Sequence, residues 1–213
     1  MKKMKNEENK LSDSILKLKQ LQIDKKKRAE NSVEFFEILQ SCMNEKLTEK
    51  DAEFLVELYS SSKNLSTRNI ILKILVWYEQ YNLESFFLQA FKKERYLDMR
   101  LWAIRGYANY ATETEVEKLM SKFHEILVKR PENTPYNYQE YEQIRSVFGL
   151  PYLIERFGYP CFIKAYEQEE QQYNAMPDAF KGYFTLDDKG NHVSLKTSEE
   201  IDKLWNDFYN KKD

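Results

Sequence analysis

From residue 11 onward the apolar positions recur at intervals of three and four, the spacing that lines up side chains on one face of an α-helix. Leu11, Ile15, Leu18 and Leu21 form a narrow stripe over residues 11–23 and predict a modest amphipathic helix. Asn31 and Glu34 have capping-box spacing just ahead of Phe35, Phe36, Ile38, Leu39, Cys42 and Met43, which predicts a helix over about 32–44. Thr48 is placed to cap the next, with Glu49 and Asp51 in its positive first turn and Ala52, Leu55, Val56 and Tyr59 on one face. Ser60, Ser61 and Ser62 end it as a turn.

The chain then repeats itself. Ser66 begins STRNIILKILVWYEQ, and 32 residues later Asp98 begins DMRLWAIRGYANYAT. Each segment opens on a good N-cap residue and has an arginine two positions on, Arg68 and Arg100. The stripe Thr67, Ile70, Ile71, Ile74, Leu75, Tyr78 matches Met99, Trp102, Ala103, Gly106, Tyr107, Tyr110 step for step. A second flank, Leu72 and Val76, returns as Ile104 and Ala108, so both helices are apolar on more than one side and need cover from both. Burial of Ile71, Leu75, Ala103 and Tyr107 between helices follows from this alignment. Behind each comes a partner helix: Leu83, Phe86, Phe87, Ala90 and Phe91, then Val116, Leu119, Met120 and Phe123, the latter with Thr112 and Glu115 as a capping box. Helix pairs repeating at 32–33 residues are the sequence sign of an α-solenoid, whose units bury their faces by stacking.

At DMRLWAIRGYANY the chain resembles the inner helix of a HEAT-like repeat, which opens with Asp, has Arg two positions later and continues with small and apolar contact residues. The resemblance covers about residues 49–149; Ser66 stands where the earlier unit would have Asp, and no proline marks the outer helices. It implies an all-α, HEAT-like α-α superhelix, and it implies that Asp98, Arg100 and Arg68 act structurally, as a ladder between successive repeats.

After Arg130 the periodicity loosens. PENTPYNY at 131–138 reads as a loop, and Tyr141, Ile144, Val147 and Phe148 predict a helix stopping near Gly149. A short helix PYLIERFG follows, then one opened by Pro160 and closed by Met176-Pro177. Residues 183–195 hold Asp188, Lys189, Gly190 and Asn191 between β-prone flanks, the makings of a small β-hairpin. Thr197 or Ser198 caps a last helix carrying Ile201, Leu204, Trp205 and Phe208. From about residue 150 this part reads as an irregular C-terminal cap on a single repeat domain, 31–213, preceded by a basic N-terminal helix or tail, 1–30.

Charge sharpens that division. Residues 1–30 carry ten Lys/Arg against five Asp/Glu and include KKKR at 25–28; the remainder carries 23 against 30. An acidic body is a poor electrostatic partner for DNA, which leaves the N-terminal segment as the exception. Five glycines and five prolines in 213 residues argue against a turn-dense β-sandwich, and 42% hydrophobic residues argue against disorder. The N-terminal residues lack the apolar run of an export signal, and the longest apolar run, 70–78, is broken by Lys73 and too short to span a bilayer. Cys42 and Cys161 read as small buried hydrophobes and point to a reducing, cytoplasmic setting.

The search for chemistry returns little. His124 and His192 are the two histidines, no Cys/His cluster has metal-ligand spacing, and no phosphate loop, dinucleotide fingerprint, nucleophile elbow or HExxH occurs. The expectation is therefore no metal, no cofactor and no enzymatic activity. The favoured role is non-catalytic protein binding, as an adaptor, a regulatory subunit or an immunity or antitoxin-type protein, with another protein as partner. Solenoids offer extended surfaces, and 15 Tyr, 13 Phe and 3 Trp exceed what a helical core of this size needs. Tyr136, Tyr138 and Tyr141, in or beside the long interruption of the repeat, are the candidate contact residues, with Arg105 and Asn109 chosen because they lie off the main stripe. The alternative, a HEAT-like DNA-binding protein or alkylpurine DNA glycosylase, would draw on Trp77, Trp102, Tyr107 and Arg105.

Overall fold

The computed structural model describes residues 10–128, 138–187 and 192–210. The chain is all-α with one small two-stranded sheet, and it divides at Gln89/Ala90 into two compact units.

The first unit contains α1 (Asp13–Lys25), a 3-10 turn (Lys26–Asn31), α2 (Val33–Ser41), α3 (Glu49–Ser61), α4 (Leu65–Leu75) and most of α5 (Glu84–Lys93), inside which the division falls. Residue 30, the expected boundary, falls inside the first unit. Ile15 and Leu18 of α1 are fully buried, and α1 packs against α2 and the 3-10 turn. A buried carboxylate adds a polar tie: Asp51 accepts from Ser12 N at 2.9 Å and from Thr48 N at 2.9 Å, completing the Thr48 capping box while holding the entry to α1. The side chains of the KKKR run lie outside the described residues.

Three caps differ from expectation. Asn31 belongs to the 3-10 turn, so the extended residue after it, Ser32, caps α2 and accepts from Phe35 N. Asn64, not Ser66, caps α4, with its side-chain oxygen accepting from Ser66 N and Thr67 N. Tyr96, not Asp98, precedes α6 (Leu97–Tyr107), and it makes no side-chain cap bond. Ser66 and Asp98 therefore both sit two residues inside their helices, and the offset of 32 is preserved.

Burial follows that offset. Ile71, Leu72 and Leu75 are buried, as are Ala103, Ile104 and Tyr107; Thr67 and Met99 are buried at the start of each stripe. A fully buried side chain of this kind contributes about 1.5–3 kcal/mol. The arginines also correspond: Arg68 Nη1 donates to Ser62 O at 3.4 Å and Arg100 Nε to Glu94 O at 2.7 Å.

In the second unit α6 packs against both α7 (Glu113–Val128) and α8 (Tyr138–Arg145). Next come α9 (Leu150–Phe157), with Gly158 at φ 66° as its left-handed C-cap, and α10 (Pro160–Ala175), which meets α7, α8 and α9. The helix expected to run to Gly149 ends at Arg145, leaving Val147 exposed. Gly149 is required there, because a Cβ would collide with the backbone carbonyls of Ile144 and Gln143. A 3-10 turn (Asp178–Phe180) leads to β1 (Phe184–Leu186), paired antiparallel with β2 (His192–Ser194) in the register Thr185 opposite Val193. The connecting residues 188–191 and the His192 side chain lie outside the described residues. Thr197 caps α11 (Ser198–Asn210) in a reciprocal box with Glu200.

Candidate functional site

The residues expected to contact a partner separate. Tyr136 lies outside the described residues; Tyr138 opens α8, and its side chain is likewise outside them. Tyr141, expected in or beside an exposed loop, is 1% exposed, with its hydroxyl 3.3 Å from Gln172 Oε1. It occupies the apolar side of α8 with Ile144, where α6 and α10 converge.

Arg105 is a second correction. It is 3% exposed, its guanidinium lies 3.5 Å from the centroid of the Tyr152 ring and 4.8 Å from that of Trp102, and Nη1 donates to Phe148 O at 3.2 Å. Burial pulls its pKa down from the ordinary value, with Tyr152 opposing. Lys73, 32 residues earlier, is half-buried, whereas Phe148 from the segment after α8 and Tyr152 from the start of α9 cover Arg105. Asn109 is half-buried and accepts from Arg156 Nη2 at 3.4 Å. Arg105 is thus a packed cation–π element and Asn109 the accessible edge of the cluster.

A polar cluster that the sequence reading missed lies between α8 and α10. Tyr173 OH donates to Glu142 Oε1 at 2.8 Å, and Gly182 N reaches the same carboxylate oxygen at 2.8 Å. This ties the approach to β1 onto both helices. Burial first, then Glu142, pushes Tyr173 up to about 12, so it remains a donor. Arg145 stacks 3.6 Å from the centre of the Tyr173 ring and pairs with Glu170 at 3.0 Å. Glu169 is 0% exposed, and neither carboxylate oxygen has a hydrogen-bond partner among the described residues. Burial pushes its pKa up to about 8, Arg145 pulling the other way. A general acid must reach its substrate, and a carboxyl closed to solvent does not. The cluster fits a structural node.

The C-terminal helix behaves differently. No residue of α11 is buried, although Ile201, Leu204, Trp205 and Phe208 recur at helical spacing. One edge of that stripe rests on the preceding turn: the Phe180 ring is 5.2 Å from Trp205 and 4.9 Å from Phe208, and Trp205 Nε1 donates to Tyr183 OH. The other edge reaches Tyr209, 47% exposed and 5.8 Å from the Trp205 ring. Nearby in the chain, Val193 of β2 and Leu195 just after it are 44% and 57% exposed. A half-covered aromatic stripe is the feature of this unit that most resembles an interface. The period of α11 was legible in the sequence; that so little of the chain would cover it was not.

Other expectations resolve more simply. Trp77 is exposed in the first unit, whereas Tyr107 is buried and Trp102 half-buried in the second. Cys42 is buried, and burial holds its thiol up at about 12; Cys161, expected buried, is half-exposed. His124 is half-buried. Among the described residues no group of three or more His, Cys, Asp or Glu is placed to hold a metal ion, and no helix is long and apolar enough to cross a membrane.

Comparison of the chain with protein-family models, with curated proteins and with solved structures finds no match.

Proposed function

We propose that the chain is a non-catalytic protein-binding module of HEAT-like helical repeats, of the adaptor, regulatory or immunity type, and that α11 and the adjoining hairpin form its principal contact surface. The half-covered aromatic stripe of α11 carries this reading. Trp and Tyr are the residue types that supply most binding energy when a partner completes their burial. Phe180 and Tyr183, both buried, seat one edge of this stripe and leave the other edge open to a partner.

The test is affinity capture from the native cell with the full chain as bait, beside a Tyr209→Ser variant and a Tyr136→Ala/Tyr138→Ala variant. Tyr209 is exposed, so its exchange spares the fold. Recovery of one stoichiometric partner by the parent chain, lost with Tyr209→Ser, supports the reading. Absence of any partner, together with turnover of a small molecule or a DNA lesion by the pure protein, sinks it.

A further inference from the structure

The aromatic stripe of α11 is bordered by acid. Projected around the helix, Asp202 lies beside the stripe on the Tyr209 side, and Glu200 and Asp207 lie on the other. Glu199 adds a fourth carboxylate, and Lys203, the one cation of the helix, falls on the face opposite the stripe. Asp202, Asp207 and Glu199 are all exposed. Glu200 is committed to the cap, where it accepts from Thr197 N at 2.8 Å, while Asp202 and Asp207 make no hydrogen bond or ion pair among the described residues.

From this arrangement we infer that α11 docks a basic amphipathic helix of a partner protein, one whose apolar anchors complete the burial of Trp205, Phe208 and Tyr209 and whose flanking Lys/Arg residues face Asp202 and Asp207. The inference rests on the protein-binding reading and gives its partner a chemistry. The rim decides between occupants. A second copy of this chain docked stripe to stripe would set one acidic border against another, and like charges brought together at an interface are unfavourable. An anionic lipid surface is repelled by the same carboxylates. A basic helix gains from both features: its anchors extend the aromatic cluster, and its cations are steered to uncommitted acids.

The probe is a synthetic helical peptide with leucine at i, i+3, i+4 and i+7 spacing and lysine elsewhere, titrated into the full chain and followed by backbone amide shifts. Its counterpart carries glutamate in place of lysine. The expected result is shifts concentrated at residues 193–209 with the lysine peptide, affinity that falls as salt rises, and a loss of about tenfold or more in Asp202→Lys/Asp207→Lys. Equal binding of the glutamate peptide, shifts centred elsewhere, or no change on charge reversal overturns the inference. So does self-association of the chain through α11, or binding of α11 to anionic vesicles. The two readings separate in the cell capture: a partner retained by Asp202→Lys/Asp207→Lys but lost with Tyr209→Ser leaves protein binding standing and removes the basic helix.

Discussion

Arg68 and Arg100 stand 32 residues apart, and each donates to the carbonyl oxygen six residues before it, Ser62 for the first and Glu94 for the second. Ser62 is the C-cap residue of α3, and Glu94 directly follows α5. Each arginine therefore satisfies a carbonyl at the negative end of the preceding helix. The resemblance implies a side-chain ladder between repeats for these residues; the bonds seen here go to backbone. Arg100 also places its guanidinium 5.2 Å from the centre of the Phe91 ring, adding a cation–π contact.

Arg100→Ala is expected to cost about 1–2 kcal/mol in denaturant melts, the range for a charge-assisted bond that is partly buried. Arg100→Lys recovers less than half, because a lysine lacks the Nε donor and the flat face over Phe91. A melt unchanged by the alanine would show that the junction does not depend on this bond.

Thr67 begins the first repeat's stripe where the second has Met99, and its fully buried hydroxyl has no hydrogen-bond partner among the described residues. Thr67→Val removes the hydroxyl and keeps the shape. A gain of about 1 kcal/mol is expected, since an unsatisfied buried donor costs more than its absence. Destabilisation in thermal melts would mean the hydroxyl has a partner after all.

Glu169 makes stability depend on pH. Its carboxyl is raised from the ordinary 4.5 to about 8 in the fold, chiefly by burial. Between these values the folded chain keeps a proton that the unfolded chain releases, so stability falls as pH rises through the window and levels off above about 8. Glu169→Gln removes this dependence, and the variant is expected to be more stable than the parent by roughly 4 kcal/mol at pH 8, with the difference shrinking toward pH 5. Melts at pH 5, 6.5 and 8 that give the same difference throughout would contradict a buried, protonated carboxyl.

The helices and their buried stripes were legible along the chain because they depend on local spacing alone. Thr48, Thr112 and Thr197 were readable as caps for the same reason, each bonding within three residues of itself. What escaped depends on distant segments. Arg105 looked open because it lies off the main stripe, and only the fold brings Phe148 and Tyr152 over it. Tyr141 was placed on a helix stripe yet offered as a contact residue beside the loop, because nothing near it in the chain announced that α10 would cover it. Glu169 stands in an acid-rich stretch with Glu167 and Glu170 that marks none of the three as special, and its burial follows from the packing of α8 on α10.

The two glycines flanking α9 give a contrast in cause. Gly149→Ala forces a Cβ into the Ile144 and Gln143 carbonyls, so a loss of about 3 kcal/mol or failure to fold is expected. Gly158→Ala meets no atom within 4 Å but must hold φ at 66°, which costs about 1–2 kcal/mol. Comparable losses at both sites would show that steric approach is not what Gly149 supplies.

The most direct test of the binding role is amide hydrogen exchange on the full chain, alone and with its captured partner. Binding through the C-terminal face is expected to slow exchange over residues 193–210 well beyond any other segment, because completing the burial of the Trp205–Tyr209 stripe suppresses fraying of a helix that has no buried residue of its own. Unchanged exchange across 193–210 with a partner bound elsewhere on the chain would contradict it.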